Sequence, residues 1–371
     1  MHVSSCFDSG AVQVVDLSDP ARLRLRLRPD SAADIRQWFH FRLQGARGVA
    51  CRLRLEDADL AAFPDGWQGY RAVASYDRRA WFRVPAHFDG QALVIEHTPE
   101  ADSVYYAYFE PYSGERHLDL LGRACLHART RVERLGATAG GRDLDLVTVG
   151  EPASGKRKVW VIARQHPGES MAEWFAEGLL ERLWDETDPV ARAVLDKAVL
   201  FVVPNMNPDG AALGNLRTNA AGRNLNREWL SPSLAASPEV WHVRRAMEAT
   251  GVDLFLDIHG DEGLPYVFTD GCDMLPSFTP AQAKREAAFL ARFLEASPDF
   301  QTRCGYARDR FTDELLTLAS KWVGHTFGCL SLTLEMPFKD NADRPDPVVG
   351  WNGLRSKALG AAVLEPILQD L

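Results

Sequence analysis

The sequence lacks the features that would place it in a membrane or in an oxidising compartment. Its first eight residues contain neither a basic segment nor an apolar one, so no secretory signal peptide is visible. No apolar run approaches the roughly 20 residues that span a bilayer. The 6 cysteines are scattered without a C-x-x-C pair, which argues against a disulfide framework and against a cysteine-rich zinc site. We therefore expect a cytoplasmic protein without a membrane partner.

The chain has no excess of basic charge. The chain has 42 Lys and Arg against 51 Asp and Glu, for a formal net charge of -9. Binding to nucleic acid requires clustered Lys and Arg that neutralise phosphates, and here the basic residues are dispersed. This argues against nucleic acid as a partner. A hydrophobic content of 46% in 371 residues is typical of a soluble globular chain that is long enough for two domains.

The first part of the chain has the pattern of a β-domain. Residues 22–28 alternate Arg and Leu with a period of two, which indicates a strand with one solvated face. Turn signals at residues 64–66 and 89–90 separate further strand-like runs, and no long amphipathic helix interrupts them. We predict an antiparallel β-sandwich as the first domain, residues 1–112.

After residue 112 strand candidates alternate with helix candidates. The strands are expected at residues 143–149, 159–164, 198–204, 252–258 and 329–335. The helices are expected at residues 169–187, from a cap at Ser237 to residue 249, after residues 279–280, and over residues 351–371. This alternation predicts an α/β domain at residues 113–371, with a mixed, mainly parallel sheet flanked by helices.

A metal site is indicated by the segment His-Pro-Gly-Glu. It places His166 and Glu169 three residues apart, directly after an apolar strand. A third candidate ligand, His259, ends another apolar run. Catalytic zinc sites use three protein ligands and leave the fourth position open. The short motif alone is not specific, because a histidine at a strand end also bonds to backbone groups.

Other polar residues fall at the same edge of the predicted sheet. In open α/β sheets, ligands bind outside the carboxyl ends of the strands. Asn205 and Asn207 follow one strand, and Glu335 ends another that is otherwise apolar. Burial of a carboxylate at the end of so apolar a strand costs free energy unless the group is solvated, paired with a cation or part of a functional site. The convergence of these positions favours a functional site.

The loop at residues 214–227 contains arginines and several amides, with few residues suited to a core. Guanidinium groups match carboxylates with two parallel hydrogen bonds, so this loop is a candidate cradle for oxyanions. Its composition is equally typical of a solvated surface loop.

Taken together, these motifs resemble those of the zinc metallocarboxypeptidases. The resemblance rests on His-Pro-Gly-Glu (166–169), Asn-Pro-Asp-Gly (207–210), Gly-Arg-Asn-Leu-Asn-Arg (222–227), Asp-Ile-His (257–259) and Thr-Leu-Glu (333–335). More narrowly, the chain is similar to the cytosolic carboxypeptidases, which remove acidic residues from protein C-termini or glutamate side branches. Residues 34–41, 75–78 and 107–112 resemble the β-sandwich that precedes the catalytic domain in that subfamily. Five motifs in this order are specific, although each alone is modest.

The resemblance implies a role for each matching residue. His166, Glu169 and His259 would bind one Zn²⁺, and Glu335 would be the general base for a zinc-activated water. Arg217 would polarise the scissile carbonyl group. Asn226 and Arg227 would bind the α-carboxylate of the terminal residue, which restricts such an enzyme to chain ends. The expected substrate is therefore the C-terminus of a peptide or protein.

Two further expectations concern substrate recognition. The family has a tyrosine that covers the substrate. Because no other tyrosine lies between Tyr306 and Glu335, either Tyr306 takes this role from a longer loop or the role is missing. An acidic terminal side chain requires a cation in its pocket. The candidates in the segment before Glu335 are Arg303, Arg308, Arg310 and Lys321. We expect a preference for C-terminal glutamate or aspartate.

Two alternatives remain at this point. Zinc deacylases and amidases that act on N-acyl amino acids or cell-wall peptides use the same ligand pattern, and Asn226 with Arg227 would hold a carboxylate there too. A non-catalytic binding module would have the same fold, but loss of catalysis would usually leave a ligand or the base changed. The sandwich has no chemical signature of its own, and we expect it to lie beside the mouth of the site.

Overall fold

The computed structural model describes residues 1–307 and 312–371, and for residues 312–314 it describes the backbone alone. The first part of the chain forms two five-stranded sheets. Their strands are β1 (His2–Ser4), β2 (Gln13–Asp16), β3 (Leu23–Arg26), β4 (His40–Gln44), β5 (Cys51–Leu55), β6 (Ala72–Ser75), β7 (Phe82–Val84), β8 (Ala86–Phe88), β9 (Leu93–His97) and β10 (Ser103–Ala107). One sheet has the order β1-β4-β10-β6-β7 and the other β2-β3-β5-β9-β8.

The alternating pattern explains how the sandwich forms. Leu23 and Leu25 in β3 are fully buried, whereas Arg24 and Arg26 point outward. The predicted antiparallel sandwich is confirmed with one difference, because β3 pairs with β5 in parallel. Two strands can be parallel only when the connection between them crosses over, and here the chain passes through β4 in the other sheet before it returns.

The second part of the chain folds around a seven-stranded sheet. Its strands are β11 (Thr130–Ala137), β12 (Asp143–Val149), β13 (Arg157–Ala163), β14 (Ala198–Val203), β15 (Leu254–Asp261), β16 (Phe268–Asp270) and β17 (Leu330–Pro337). The order is β11-β12-β14-β13-β15-β17-β16. The four central strands are parallel to one another, and β11, β12 and β16 pair antiparallel. This confirms the predicted mixed sheet.

Helices cover both faces of this sheet. They are α1 (Gly114–Ala124), α2 (Met171–Trp184), α3 (Pro189–Lys197), α4 (Pro208–Leu213), α5 (Pro238–Thr250), α6 (Pro280–Ala296), α7 (Ala319–Phe327), α8 (Gly353–Ala362) and α9 (Leu364–Asp370). Helix α2 packs against α8 with almost no space between them, because a Cβ atom on Gly178 would lie 2.0 Å from the carbonyl oxygen of Lys357. None of the helices in the described residues is both long enough and apolar enough to cross a membrane.

Three predicted details of the helices need correction. The last helix is divided at Val363, since Pro366 has no N–H to bond to the carbonyl of residue 362. Ser237 precedes α5 but does not cap it, because its hydroxyl donates to Glu228 instead. Helices α1, α3, α4 and α7 were not predicted. The predicted start of α6 is correct, and Thr279 forms a capping box there.

The sandwich packs directly onto the α/β domain at the end of β17. Tyr108 of the sandwich stacks on Phe338, with ring centroids 4.6 Å apart. The buried guanidinium group of Arg83 donates to the carbonyl groups of Phe338, Lys339 and Trp351. Because β17 ends beside this interface, the sandwich borders the edge of the sheet at which the site was predicted.

Candidate active site

Two of the predicted site residues are fixed by the pairing of neighbouring strands. In the ladder between β15 and β17, His259 lies directly opposite Glu335. Both side chains are buried, at 1% and 6% exposure. Because the register of a parallel ladder also sets which face each side chain takes, the ladder holds a candidate metal ligand and the candidate base on the same face.

The other two predicted ligands lie on the turn between β13 and α2. Arg164 begins this turn with a φ of 61°, in the left-handed region that is uncommon for a side chain other than glycine. Its buried guanidinium group donates to the carbonyl oxygens of Pro167 and Tyr112, each at 2.9 Å, and to Glu173 at 2.6 Å. These bonds hold the turn that presents His166 and Glu169.

The three candidate ligands converge. Glu169 Oε1 lies 2.6 Å from His166 Nδ1, and Glu169 Oε2 lies 2.7 Å from His259 Nδ1. One ligand atom from each of the three residues lies within 4.8 Å of the other two. The other ring nitrogens are already engaged, since His166 Nε2 lies 3.0 Å from Asn224 Oδ1 and His259 Nε2 lies 2.9 Å from Asp257 Oδ2. Such outer contacts typically orient histidine ligands, so the donor set fits a divalent zinc ion.

The charges in this cluster suit a cation. Burial lowers the pKa of His166 to about 4, which keeps this imidazole neutral. Burial alone would raise the pKa of Glu169, but the neighbouring His166 and His259 hold it below its usual range. Although burial lowers the pKa of His259, the carboxylates of Asp257 and Glu169 raise it above the usual value. A metal binds the neutral imidazole and would replace the proton that these carboxylates attract.

Glu335 faces the same space with one oxygen available. Its Oε1 accepts a hydrogen bond of 2.9 Å from the hydroxyl of Tyr306, and its Oε2 has no partner among the described residues. Burial raises the pKa of Glu335 well above its usual value; the charge of His259 lowers it, and the charges of Glu169 and Asp261 raise it further. A carboxylate with a raised pKa is suited to proton transfer near neutral pH.

These residues line one cavity of about 160 Å³. Its walls include the three candidate ligands and Glu335, together with Arg217, Asn226, Arg227 and Tyr306. The sandwich also contributes to it, because Phe63 lines the cavity and its ring centroid lies 5.1 Å from the Arg217 guanidinium carbon. The cavity therefore brings together groups that bind metal, accept protons and bind anions.

The basic candidates for the side-chain pocket are not brought together. Lys321 is 2% exposed, and its Nζ bonds to the Gly271 carbonyl and, at 2.7 Å, to Asp270, which lines the cavity. Arg303 is exposed and pairs with Asp343 away from the cavity. Arg308 and Arg310 lie outside the described residues.

The sequence analysis missed several residues that line the cavity, among them Phe63 and Glu262. Phe63 belongs to the sandwich, and no local pattern relates it to a site more than 100 residues later. Glu262 follows His259 at the end of β15, is 5% exposed, and has a carboxyl Oε1 without a partner among the described residues. Burial raises the pKa of Glu262 well above its usual value. Its position so soon after a candidate ligand was the available signal.

Two family models together match most of the chain. The model of the zinc carboxypeptidase family matches residues 117–348, and that of the cytosolic carboxypeptidase N-terminal domain matches residues 3–109. A metallo-carboxypeptidase structure from Burkholderia cenocepacia is 57% identical, with a TM-score of 0.98 over 100% of this chain and 98% of that chain. A metallo-carboxypeptidase from Pseudomonas aeruginosa, in complex with (2-guanidinoethylmercapto)succinic acid, is 49% identical, with a TM-score of 0.96 over 100% of this chain and 98% of that chain.

A longer relative is cytosolic carboxypeptidase 4 of Mus musculus. It is 36% identical over 289 residues, which are 64% of this chain and 26% of that protein. The chain thus spans about a quarter of the length of that relative.

Proposed function

The chain belongs to the zinc carboxypeptidase family, and from this premise we propose that it hydrolyses the last peptide bond of peptides or proteins and prefers acidic terminal residues. The observation that carries the proposal is one cavity that joins His166, Glu169 and His259 to Glu335, Arg217 and Arg227. The reaction class is a zinc-dependent exopeptidase hydrolysis.

Within this proposal, each group of the chain has a separate task. Zinc bound by His166, Glu169 and His259 would supply Lewis-acid chemistry, because coordination lowers the pKa of water to about 7. Glu335 takes a proton from the attacking water at Oε2, the oxygen without a partner among the described residues, and returns it to the leaving amine. Arg217 stabilises the negative charge that develops on the carbonyl oxygen.

Restriction to chain ends is assigned to Asn226 and Arg227. Both line the cavity, and Arg227 is oriented by a 2.8 Å hydrogen bond from its Nη1 to the carbonyl of Asn226. The Asn226 Oδ1 accepts from the backbone N–H of Ala319, which leaves its amide nitrogen directed toward His259. A guanidinium group beside an amide donor suits a free α-carboxylate. Tyr306 covers the bound residue in this assignment.

The preference for acidic residues is assigned to Lys321. Its buried ammonium group lies behind Asp270, which lines the cavity, so an incoming carboxylate would share the cation with Asp270. The alternative is a preference for basic residues. It is favoured by the unpartnered, buried oxygen of Glu262 and by the guanidino compound bound to the Pseudomonas aeruginosa relative.

A panel of peptides that end in Glu, Asp, Lys, Arg or Phe tests the activity and the preference together. Higher kcat/KM for the acidic ends supports the assignment, and higher values for Lys or Arg ends support the alternative. N-acyl amino acids belong in the same panel, since faster cleavage of these would make the enzyme a deacylase.

The variant Glu335→Gln tests the proposed base. We expect kcat to fall by about 100-fold to 10,000-fold, which is the usual contribution of general acid–base catalysis. Zinc content, measured by elemental analysis, should stay at the wild-type level. Retention of more than a tenth of the wild-type kcat would contradict the role of Glu335.

A further inference from the structure

The loop that contains Arg217 is bound by the sandwich domain. The carboxylate of Asp30 is 6% exposed and accepts four hydrogen bonds from this loop. Its Oδ1 accepts from the backbone N–H of Leu216 at 2.6 Å. Its Oδ2 accepts from the N–H of Arg217 at 3.0 Å, and from the N–H and hydroxyl of Thr218 at 2.8 and 2.9 Å. One carboxylate thus fixes three consecutive residues of the other domain.

Neighbouring contacts extend this attachment on both sides. The backbone N–H of Ser31 donates to Asn215 Oδ1 at 2.9 Å, and Asn215 Nδ2 donates to Ser31 Oγ at 3.1 Å. Farther along, Gly222 lies so close to the sandwich that a Cβ atom there would be 2.4 Å from the carbonyl oxygen of Ala32. The loop is therefore held along its length by a short segment of the sandwich.

The same loop also contacts the metal-ligand turn. The backbone N–H of Gly168, between His166 and Glu169, donates to the carbonyl of Leu216 at 2.8 Å. The Arg217 guanidinium group in turn lies over the ring of Phe63, a second residue of the sandwich. The backbone of Arg217 is fixed by Asp30, and its side chain is guided by Phe63.

From these contacts we propose that Asp30 is a positioning residue for Arg217, so that the sandwich completes the active site of the α/β domain. The inference rests on the carbonyl-binding role proposed above for Arg217. Asp30 does not line the cavity and acts only through the loop. Its carboxylate bonds to backbone donors next to the guanidinium-bearing residue, so its loss displaces the group that stabilises the transition state.

The first test is Asp30→Asn, an isosteric change that replaces an acceptor oxygen with a donor. We expect kcat to fall by about 10-fold to 100-fold with little change in KM, because displacement of a catalytic group by 1 Å costs roughly 100-fold. The control is Asp77→Asn, since Asp77 accepts from two backbone N–H groups and a hydroxyl on a turn of the same sandwich. An unchanged kcat in Asp30→Asn would overturn the inference.

A double-mutant cycle with Arg217→Ala separates positioning from general stability. If Asp30 acts through Arg217, adding Asp30→Asn to Arg217→Ala lowers kcat no further. A further loss equal to that of the single variant would mean that Asp30 acts independently, and the inference would fail. If Asp30→Asn does not fold, Thr218→Val takes its place in the cycle, because it removes one hydrogen-bond donor to the Asp30 carboxylate. A fall in kcat that occurs only when Arg217 is present supports the inference. An unchanged kcat overturns it.

Crystal structures of the wild type and of Asp30→Asn, or Thr218→Val in its place, give a readout that does not depend on turnover. The inference expects the Arg217 guanidinium group to leave the ring of Phe63 in the variant. An unchanged position would overturn it. A wild type that cleaves no peptide of the panel would refute the proposed function, while this structural comparison would still decide whether Asp30 positions Arg217.

Discussion

The stability of the chain should depend on pH through His117 on helix α1. This buried imidazole lies between two carboxylates, with Nδ1 2.7 Å from Glu173 and Nε2 3.4 Å from Asp145. Burial lowers the pKa of His117, but these carboxylates outweigh it and raise the pKa to about 9. The same Glu173 binds Arg164, the residue that holds the metal-ligand turn. The protonation of His117 therefore bears on the support of the site.

The size of the effect follows from the pKa shift. The pKa of about 9 in the folded protein lies about 2.5 above the ordinary histidine pKa of 6.5, and a pKa difference of one corresponds to about 1.4 kcal/mol. Because the folded pKa is the higher one, this contribution of about 3 kcal/mol is fully present below pH 6.5 and is lost as the pH rises through 9.

The assay compares the wild type with His117→Gln, which does not titrate. Free energies of unfolding are obtained from urea denaturation at pH 6 and at pH 9.5, and the loss between the two pH values is compared for the two proteins. Groups other than His117 contribute equally to both losses. We expect the wild type to lose about 3 kcal/mol more than the variant. Equal losses would refute the argument that His117 is charged in the folded protein.

Three more predictions concern the site. Replacing His259 with Ala should lower the bound zinc to well below one ion per chain in elemental analysis, and full occupancy would contradict its place as a ligand. Lys321→Met should lower kcat/KM for Glu-ending peptides by about 10-fold or more, since hydrogen bonds to charged groups contribute about 1.5–3 kcal/mol; an equal loss for Phe-ending peptides would show that Lys321 does not act on the side chain. The variant Tyr306→Phe removes a hydrogen bond that lowers the pKa of Glu335. The acidic limb of the pH profile of kcat/KM should therefore move to higher pH. An acidic limb at the same pH would argue against Glu335 as the group that titrates there.

Five strands of the central sheet could be predicted because their residues are largely buried on both faces, whereas β11, which is only partly buried, and the three-residue β16 were not predicted. The predicted strands at residues 143–149 and 198–204 coincide with β12 and β14 to within one residue. The strand end that holds His259 was recognisable because a polar side chain interrupts an apolar run. The local sequence pattern was therefore sufficient to predict a strand wherever consecutive residues are buried.

Contacts between the two domains could not be predicted in the same way. Asp30 and Phe63 lie near the site only because the two domains pack together. No local sequence pattern relates either residue to site residues that follow much later in the chain. The parallel pairing of β3 with β5 likewise depends on how the chain crosses between the sheets. Helix α1 was missed although its sequence is amphipathic, with His117, Leu120, Leu121 and Ala124 buried on one face.

The ladder between β15 and β17 makes the distance from a metal ligand to the base a property of the backbone. Neighbouring strands are about 4.8 Å apart whatever their side chains are, so mutation can hardly tune this separation. The loop at residues 214–227, in contrast, is positioned by hydrogen bonds to Asp30 of the other domain, so substitutions in that domain can move it. Substitutions intended to change the substrate preference of such an enzyme should therefore be most effective at the interface between the two domains, where the geometry is adjustable. They should be least effective in the strands themselves.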